Sequence, residues 1–348
     1  MLLEENKPLA PFTTFGIGGP ARWYVQALTE DDVADAAAWA REQKVPLFVL
    51  GGGSNLLVSD EGFSGLVLHV ALSGIEAERH ADGSGLLRVA AGEDWERCVD
   101  RSLVENMSGI ECLAGIPGTA GGTPVQNVGA YGQEVSSTIE CVRTFDLVTS
   151  DFVEFTNAEC GFAYRRSRFN TTDRGRYVVT RVDFRLKLDG APTLRYVDLQ
   201  RAFPAGSEPT LAEVSEVVRK IRQGKGMLLV EGDPDCRSAG SFFKNPVLEN
   251  SGLPKIAAAI GKEPPRFPAG TESNGKVKVP AAWLIEQAGY AKGYALGAAG
   301  VSSRHTLALI NRGGATAGDI LALASQIGGS VEELFGIKLE MEPVLVGF

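Results

Sequence analysis

The chain is poor in the residues that build metal centres and covalent cross-links. Its three histidines, His69, His80 and His305, lie far apart in sequence, so no metal site is expected from them. The five cysteines, Cys98, Cys112, Cys141, Cys160 and Cys236, are scattered with no C-x-x-C pair. Free buried thiols in a reducing compartment are the expectation. Positive charge is also short. Against 43 Asp and Glu stand 34 Lys and Arg, and the net charge of −9 argues against a nucleic-acid partner. A negatively charged small ligand remains compatible, because local basic residues can hold it. No apolar run reaches the ~20 residues that span a bilayer. Residues 1–11, with Glu4, Glu5 and Lys7, lack a signal-peptide core. These absences predict a cytoplasmic protein with no membrane partner, and a monomer is expected. At 348 residues the chain has room for two or three domains with sizeable cores.

What the chain has in quantity is glycine, 42 residues of it. The densest stretch, 109–134, reads GIECLAGIPGTAGGTPVQNVGAYGQE. No helical or strand period survives there, and Pro117 and Pro124 interrupt any regular element. Bare backbone N–H groups suit phosphate oxygens, and missing Cβ atoms let a bulky ligand approach closely. A solvated linker would not carry the interleaved Leu113, Ile116, Val125, Val128 and Tyr131, so a bound ligand is the better reading. A second loop follows an apolar strand at 45–50 and reads Gly51-Gly52-Gly53-Ser54-Asn55 before Leu56. It has neither the Gly-Lys-Ser/Thr of a Walker A loop nor a Rossmann fingerprint leading into a helix. Residues 12–20, FTTFGIGGP, suggest a third close-contact loop or a plain turn.

The spacing predicts a helix after Thr29 with Val33, Ala36, Ala37 and Ala40 on its apolar face. It also predicts a helix over 94–105, a hairpin over 142–155 and an alternating strand over 177–186. Residues 191–209, with Pro192, Pro204 and Pro209, are a boundary candidate, and Thr210 and Glu213 form a capping box for the next helix. Lys220, Arg222 and Lys225 near its end complement the helix dipole or form a diphosphate patch. Three arginines, Arg165, Arg166 and Arg168, sit among aromatics; one held against a pocket would suit a carboxylate or phosphate. Ser241 in SAGSFFKNP is no G-x-S-x-G elbow, so a proton donor is the better role for it. Further on come a helix over 280–288 with Pro280 in its first turn, a strand over 306–310, a helix capped by Thr316 and Asp319, and a last strand over 338–346. Glu340 and Glu342 would share one face of that strand.

Taken in order, GGGSNLLVSD, IPGTAGGTPVQNVGAYG, Tyr164-Arg165 and SAGSFFKNP resemble the UDP-N-acetylenolpyruvoylglucosamine reductase (MurB) family over nearly the whole chain. LRYVDL at 194–199 resembles the tyrosine-bearing loop of its type I subgroup, and the spacer from Lys225 to Ser241 is longer than in some members. The resemblance implies an α+β protein. An FAD-binding domain of the vanillyl-alcohol-oxidase (PCMH) type would cover 1–205, with subdomains at about 1–72 and 73–205. An α/β substrate domain would follow at 206–348. It implies that FAD rests on Thr14, on Gly51, Gly52, Gly53, Ser54, Asn55 and Leu56, and on Gly115, Pro117, Gly118, Gly121 and Gly122. It adds Gln126, Asn127, Gly129, Ala130 and Tyr131, and also Arg222.

The activity it implies is NADPH-dependent reduction of the enolpyruvyl ether of UDP-N-acetylglucosamine to UDP-N-acetylmuramate, a cell-wall precursor. Arg165 would stabilise the enolate, Ser241 would protonate the carbanionic carbon, and Glu342 would either donate to the carboxylate or orient Arg165. Tyr131, Tyr164, Tyr196, Lys225, Asn245 and Gln287 would meet the UDP-sugar. Two alternatives stay open: an FAD-dependent hydroxy-acid or alcohol oxidase on the same fold, and a non-catalytic nucleotide-binding protein. Neither histidine nor cysteine occurs in 12–20 or 51–60, and Cys112 precedes the glycine cluster, so FAD is expected without a covalent tether. A carboxylate at Gly52 is expected to weaken FAD binding by placing charge where phosphate approaches.

Overall fold

The computed structural model describes residues 1–268 and 275–348. The chain forms two compact units, and neither is continuous in sequence. The first comprises Met1–Lys7, Ala21–Gly53 and Ser64–Gln223; the second comprises Pro8–Pro20, Ser54–Phe63 and Gly224–Phe348.

In the first unit, a four-stranded sheet runs in the order Leu3–Pro8, Pro20–Ala27, Phe63–Val70, Leu47–Leu50. The last two strands are parallel, with Leu47 opposite Leu66 and Leu50 opposite His69. Helix Glu30–Glu42 begins at a complete capping box between Thr29 and Asp32 and buries Val33, Ala36 and Ala40. Asp32 is drawn below the usual carboxylate range, first by the Leu28 backbone N–H and then by Thr29. A second sheet runs Phe152–Thr156, Ile139–Asp146, Tyr177–Leu188, Ser84–Ala90, Ile75–Arg79, with Met107–Ser108 also paired to the long central strand. The 142–155 hairpin forms with Val142 opposite Phe155, and Ser150 at its turn has φ 65°. Helix Trp95–Val104, capped by Asp94, sets Trp95 against Phe184 in the core.

The second unit is built on helix Ala317–Phe335, which starts at a Thr316–Asp319 capping box and ends on Gly336 at φ 69°. Three strands, Ala295–Leu296, Ala299–Val301 and Leu309–Asn311, form one small sheet, and Val247–Glu249, Lys276–Lys278 and Phe267–Pro268 form another. Phe15, Phe242, Leu57 and Ile320 are fully buried in its core. Asp60 accepts from the N–H groups of Ala317 and Gly318 at 2.8 and 3.2 Å, so the acidic end of GGGSNLLVSD serves as an extra cap on that helix.

The structure departs from the sequence-based expectations at several places, among them the strand expected over 306–310, which is only Leu309–Asn311. The units part after Gln223, not at 205, because helix Leu211–Gly224 buries Val214 and Val218 in the first core. Residues 8–20 and 54–63 join the second unit, where Phe15, Ile17 and Leu57 find their core. The last strand is only Val344–Val346, parallel to Leu56–Val58. Pro343 has no N–H for a ladder and separates it from the segment carrying Glu340 and Glu342. Pro280 is the N-cap of helix Ala281–Gln287 and stands outside its first turn.

Candidate active site

The glycine-rich stretch is braced from below. Glu111 is fully buried, and its carboxylate accepts from the Gly109 N–H at 2.7 Å, Gln133 Nε2 at 2.8 Å and the Thr193 N–H at 2.8 Å. A buried charge survives only with such partners. Above that brace the Gly51–Gly53 turn meets the backbone of 118–119. A Cβ added at Gly52 would lie 2.6 Å from Gly118 Cα and 3.1 Å from the Thr119 N, and one at Gly51 would lie 3.0 Å from Thr119 Oγ1. The Thr119 hydroxyl is buried and makes no hydrogen bond among the described residues. Gly122 is exposed, and a Cβ there would meet nothing within 4 Å. Bare backbone beside an orphaned hydroxyl fits the diphosphate of a dinucleotide cofactor. The close approach also changes the reading of Gly52: any side chain there collides with Gly118, whatever its charge.

The same unit fixes Arg165. Ala163 and Arg166 exchange backbone hydrogen bonds of 3.0 Å each, which closes a two-residue turn at Tyr164-Arg165. Arg165 adopts φ 55°, a conformation that costs about 1–3 kcal/mol away from glycine and persists only where the surroundings enforce it. Its Nη2 donates to the Gly129 carbonyl at 2.8 Å and its Nη1 to the Asn127 carbonyl at 3.5 Å. Arg168, by contrast, pairs with Asp173 at 2.7 Å and lies 4.0 Å from the Phe155 ring centre. Arg166 is exposed. Of the three arginines, Arg165 is the one aimed into the glycine-rich stretch.

Beside it, Tyr131 and Gly132 form a second tight turn, at φ 48° and 87°, between Gly129–Ala130 and Gln133–Glu134. The Tyr196 ring packs edge-on against Tyr131, with centroids 5.2 Å apart, and Arg195 Cβ sits 3.3 Å from where Gly132 would carry a Cβ. The tyrosine-bearing loop is therefore docked on this turn. Arg222 is buried, donates from Nε to the Gly115 carbonyl at 2.8 Å and is hydrogen-bonded to Tyr131. Burial pulls its guanidinium below the usual arginine value, and Tyr131 opposes that.

In the second unit, Ser241 lies on an extended segment between two others. It bridges Ala308 on one side, and Phe243 bridges Met341 on the other. The Glu342 N–H donates to the Phe242 carbonyl at 2.9 Å, so Ser241 and Glu342 stand on neighbouring segments one residue out of register. Asn55 holds the second of these: its Nδ2 donates to the Glu342 carbonyl at 3.2 Å, and its own carbonyl accepts from the Val344 N–H at 2.9 Å. Thr14 Oγ1 donates to the Ser238 carbonyl at 2.6 Å, which ties the 12–20 loop to the serine motif. Glu340, the other carboxylate, is exposed and pairs with Lys244 at 2.5 Å. A hydroxyl and a carboxylate on adjacent braced segments, with no histidine in the motif, suit proton transfer more than acyl transfer.

Residues 233–346 match the family described as UDP-N-acetylenolpyruvoylglucosamine reductase, C-terminal domain, and residues 21–151 match an FAD binding domain. The UDP-N-acetylenolpyruvoylglucosamine reductase of Streptomyces coelicolor is 48% identical, with 99% of this chain and 90% of that protein covered. That of Thermobifida fusca is 45% identical, covering 99% and 98%. The chain belongs to the UDP-N-acetylenolpyruvoylglucosamine reductase family. The crystal structure of the reductase from Thermus caldophilus superposes with a TM-score of 0.67 at 26% identity, over 99% of this chain and all of that one. Membership makes the chain an FAD-binding oxidoreductase, and its first unit has the flavoprotein fold that the resemblance implied.

Against that family background, several expected ligand residues also have side-chain partners within the fold. Asn127 is 1% exposed; its Nδ2 donates to Glu134 Oε2 at 3.1 Å and to the Ala163 carbonyl at 3.0 Å, and its Oδ1 accepts from the Ser136 N–H at 3.1 Å. That leaves the carboxamide no donor for FAD. Arg222 braces the Gly115 loop from beneath, and Lys220 is exposed and paired with Glu216 at 2.6 Å, so these two do not form a diphosphate patch. Leu56 enters a strand ladder opposite Val344. Asn245 Oδ1 caps helix Ala281–Gln287 through the Ala281 N–H at 2.9 Å. Gln287 lines an open groove of about 700 Å³ with Ala259, Ser330 and Leu334, while its neighbour Glu286 is bonded to Thr306. Lys225 raises the local positive charge at half-buried His305. Sequence reasoning missed Thr119 as a site residue; its signal was a lone hydroxyl inside the glycine run.

Proposed function

We propose that the protein reduces the enolpyruvyl ether of UDP-N-acetylglucosamine to UDP-N-acetylmuramate, with NADPH as the electron source, acting as a cytoplasmic monomer. FAD, held by the Gly51–Gly53 and 115–122 backbone and by Thr119, supplies the hydride relay when bound. Arg165 meets the substrate carboxylate and stabilises the charge that develops there as the double bond is reduced. Ser241 gives a proton to the carbon that becomes basic; a neutral hydroxyl can approach it without a desolvation penalty. Glu342 acts with Arg165 on the carboxylate end. Lys225 and Tyr196 bind the diphosphate, and Tyr131, Tyr164, Asn245 and Gln287 meet the rest of the UDP-sugar.

The observation that carries this reading is the clamped Ser241 segment. Hydrogen bonds from 307–308 and 340–342 fix it on both edges, and Glu342 comes with it. Supporting it are the UDP-N-acetylenolpyruvoylglucosamine reductases that match along 97–99% of this chain. Among the described residues, no helix is long and apolar enough to cross a membrane.

The test is a titration of the oxidised protein with UDP-N-acetylglucosamine enolpyruvate, following the flavin band. A saturable change that UDP-N-acetylglucosamine alone does not reproduce is expected. An unchanged band at millimolar ligand would remove the substrate assignment.

A further inference from the structure

We propose that Asn127 is a positioning residue for Arg165. The proposal rests on the reading above, in which Arg165 meets the substrate carboxylate. A two-residue turn with a non-glycine residue at φ 55° does not hold itself. Its stem is fixed where Asn127 Nδ2 meets the Ala163 carbonyl at 3.0 Å, at the point where the chain enters the turn. Its far end is fixed where the guanidinium meets the main-chain carbonyls of Asn127 and Gly129. Backbone and head group of Arg165 are thus both referenced to one buried residue and its near neighbour.

The residue type follows from this geometry. Asn127 itself has φ 47°, which asparagine tolerates better than any branched or bulky side chain. The carboxamide must donate twice, to Ala163 and Glu134, and accept once, from Ser136. Aspartate would keep the acceptor, lose both donors and face the Glu134 carboxylate. On the other side of the turn Asn170 Nδ2 donates to the Arg165 carbonyl at 3.1 Å, and Ser167 Oγ donates to the Val125 carbonyl at 2.6 Å. Those bonds hold the turn's exit; Asn127 holds its entry and, through its own carbonyl, one nitrogen of the guanidinium.

The test uses the full-length, FAD-loaded protein and the variants Asn127→Gly, Arg165→Lys and the pair. Glycine keeps the positive φ and removes only the carboxamide. For Asn127→Gly, FAD content and the rate of flavin reduction by NADPH should stay within about twofold of wild type. Reoxidation by the enolpyruvyl substrate should slow by about 10–100-fold, the scale of a misplaced catalytic group. In the pair the two losses should be less than multiplicative, because both act on one guanidinium. Flavin loss, or an equal slowing of both half-reactions, makes Asn127 a cofactor or folding residue and overturns the proposal. So do fully multiplicative losses. If Arg165→Lys leaves reoxidation unchanged, the reading of Arg165 itself fails, and that result is distinct from a failure of Asn127 alone. Should the glycine variant not fold, Asn127→Asp, equal in size, carries the same measurements.

Discussion

Ser241 is the residue whose chemistry the sequence states least directly. Nothing about a serine beside Gly240 and Phe242 marks it as an acid; its usual value lies far above neutral pH. What singles it out is position. Gly240 turns the chain at φ 69°, and the Phe242 N–H, bonded to the Leu307 carbonyl at 2.8 Å, prevents the segment from drifting. Replacing Ser241 with Ala should leave flavin reduction by NADPH near wild type and slow reoxidation by the enolpyruvyl substrate by roughly 10²–10⁴-fold. Stopped-flow measurement of the two half-reactions separates these steps. Wild-type reoxidation in the variant would take Ser241 out of the reaction. At the same scale, Asn55, Thr14 and Asn127 each donate from the side chain to a carbonyl of the site's own backbone.

Local elements were largely legible in the sequence, and the reason is that their signals are local. Thr29 with Asp32 and Thr316 with Asp319 announce helices through bonds that span three residues. The alternation at Val178, Thr180, Val182 and Phe184 announces a strand with one continuously buried face, and Val179 and Asp183 on the other are buried as well. Membership of a core is not local. Phe15 and Leu57 sit in short glycine-flanked segments that look like loops of the first half, yet they pack with Phe242 and Ala317, more than 180 residues away in sequence. The strand carrying Glu342 fails for a local reason that was readable: Pro343 interrupts it. The 109–134 stretch was legible as a binding segment but not as a braced one, because Glu111 finds Thr193 across 82 residues. Glu111→Ala would take an acceptor from the part-buried N–H groups of Gly109 and Thr193 and from the buried Gln133 Nε2, which keeps only a 3.3 Å contact to Thr193 Oγ1, and should cost roughly 3 kcal/mol. A urea titration of the FAD-loaded protein measures it, and a change below about 1 kcal/mol would mean that the carboxylate is not what holds this segment.

For the whole molecule, His305 ties stability to pH. Burial, and then the positive charges of Lys225 and Lys292, push the imidazole down to about 4, with Glu286 opposing them. Its Nδ1 accepts from the Leu307 N–H at 3.1 Å, which fits a neutral ring. Below about pH 6.5 the unfolded chain binds a proton that the folded one refuses. This contribution is therefore intact above that value and is lost as pH falls toward 4, by at most about 3 kcal/mol. Thermal melts at pH 7 and pH 5 should show a smaller acid shift for His305→Gln than for wild type. Equal shifts would show that His305 titrates normally in the folded protein.

The protein, as proposed, is an NADPH-dependent reductase that works through a releasable flavin. Its most direct test follows NADPH absorbance under anaerobic conditions, with the purified yellow protein and measured amounts of UDP-N-acetylglucosamine enolpyruvate. NADPH should disappear in large excess over the enzyme and one for one with the enolpyruvyl compound, and acid denaturation should then release the yellow colour through a small-pore filter. NADPH loss that ignores the enolpyruvyl compound and depends on oxygen, or colour retained by the polypeptide, would contradict it.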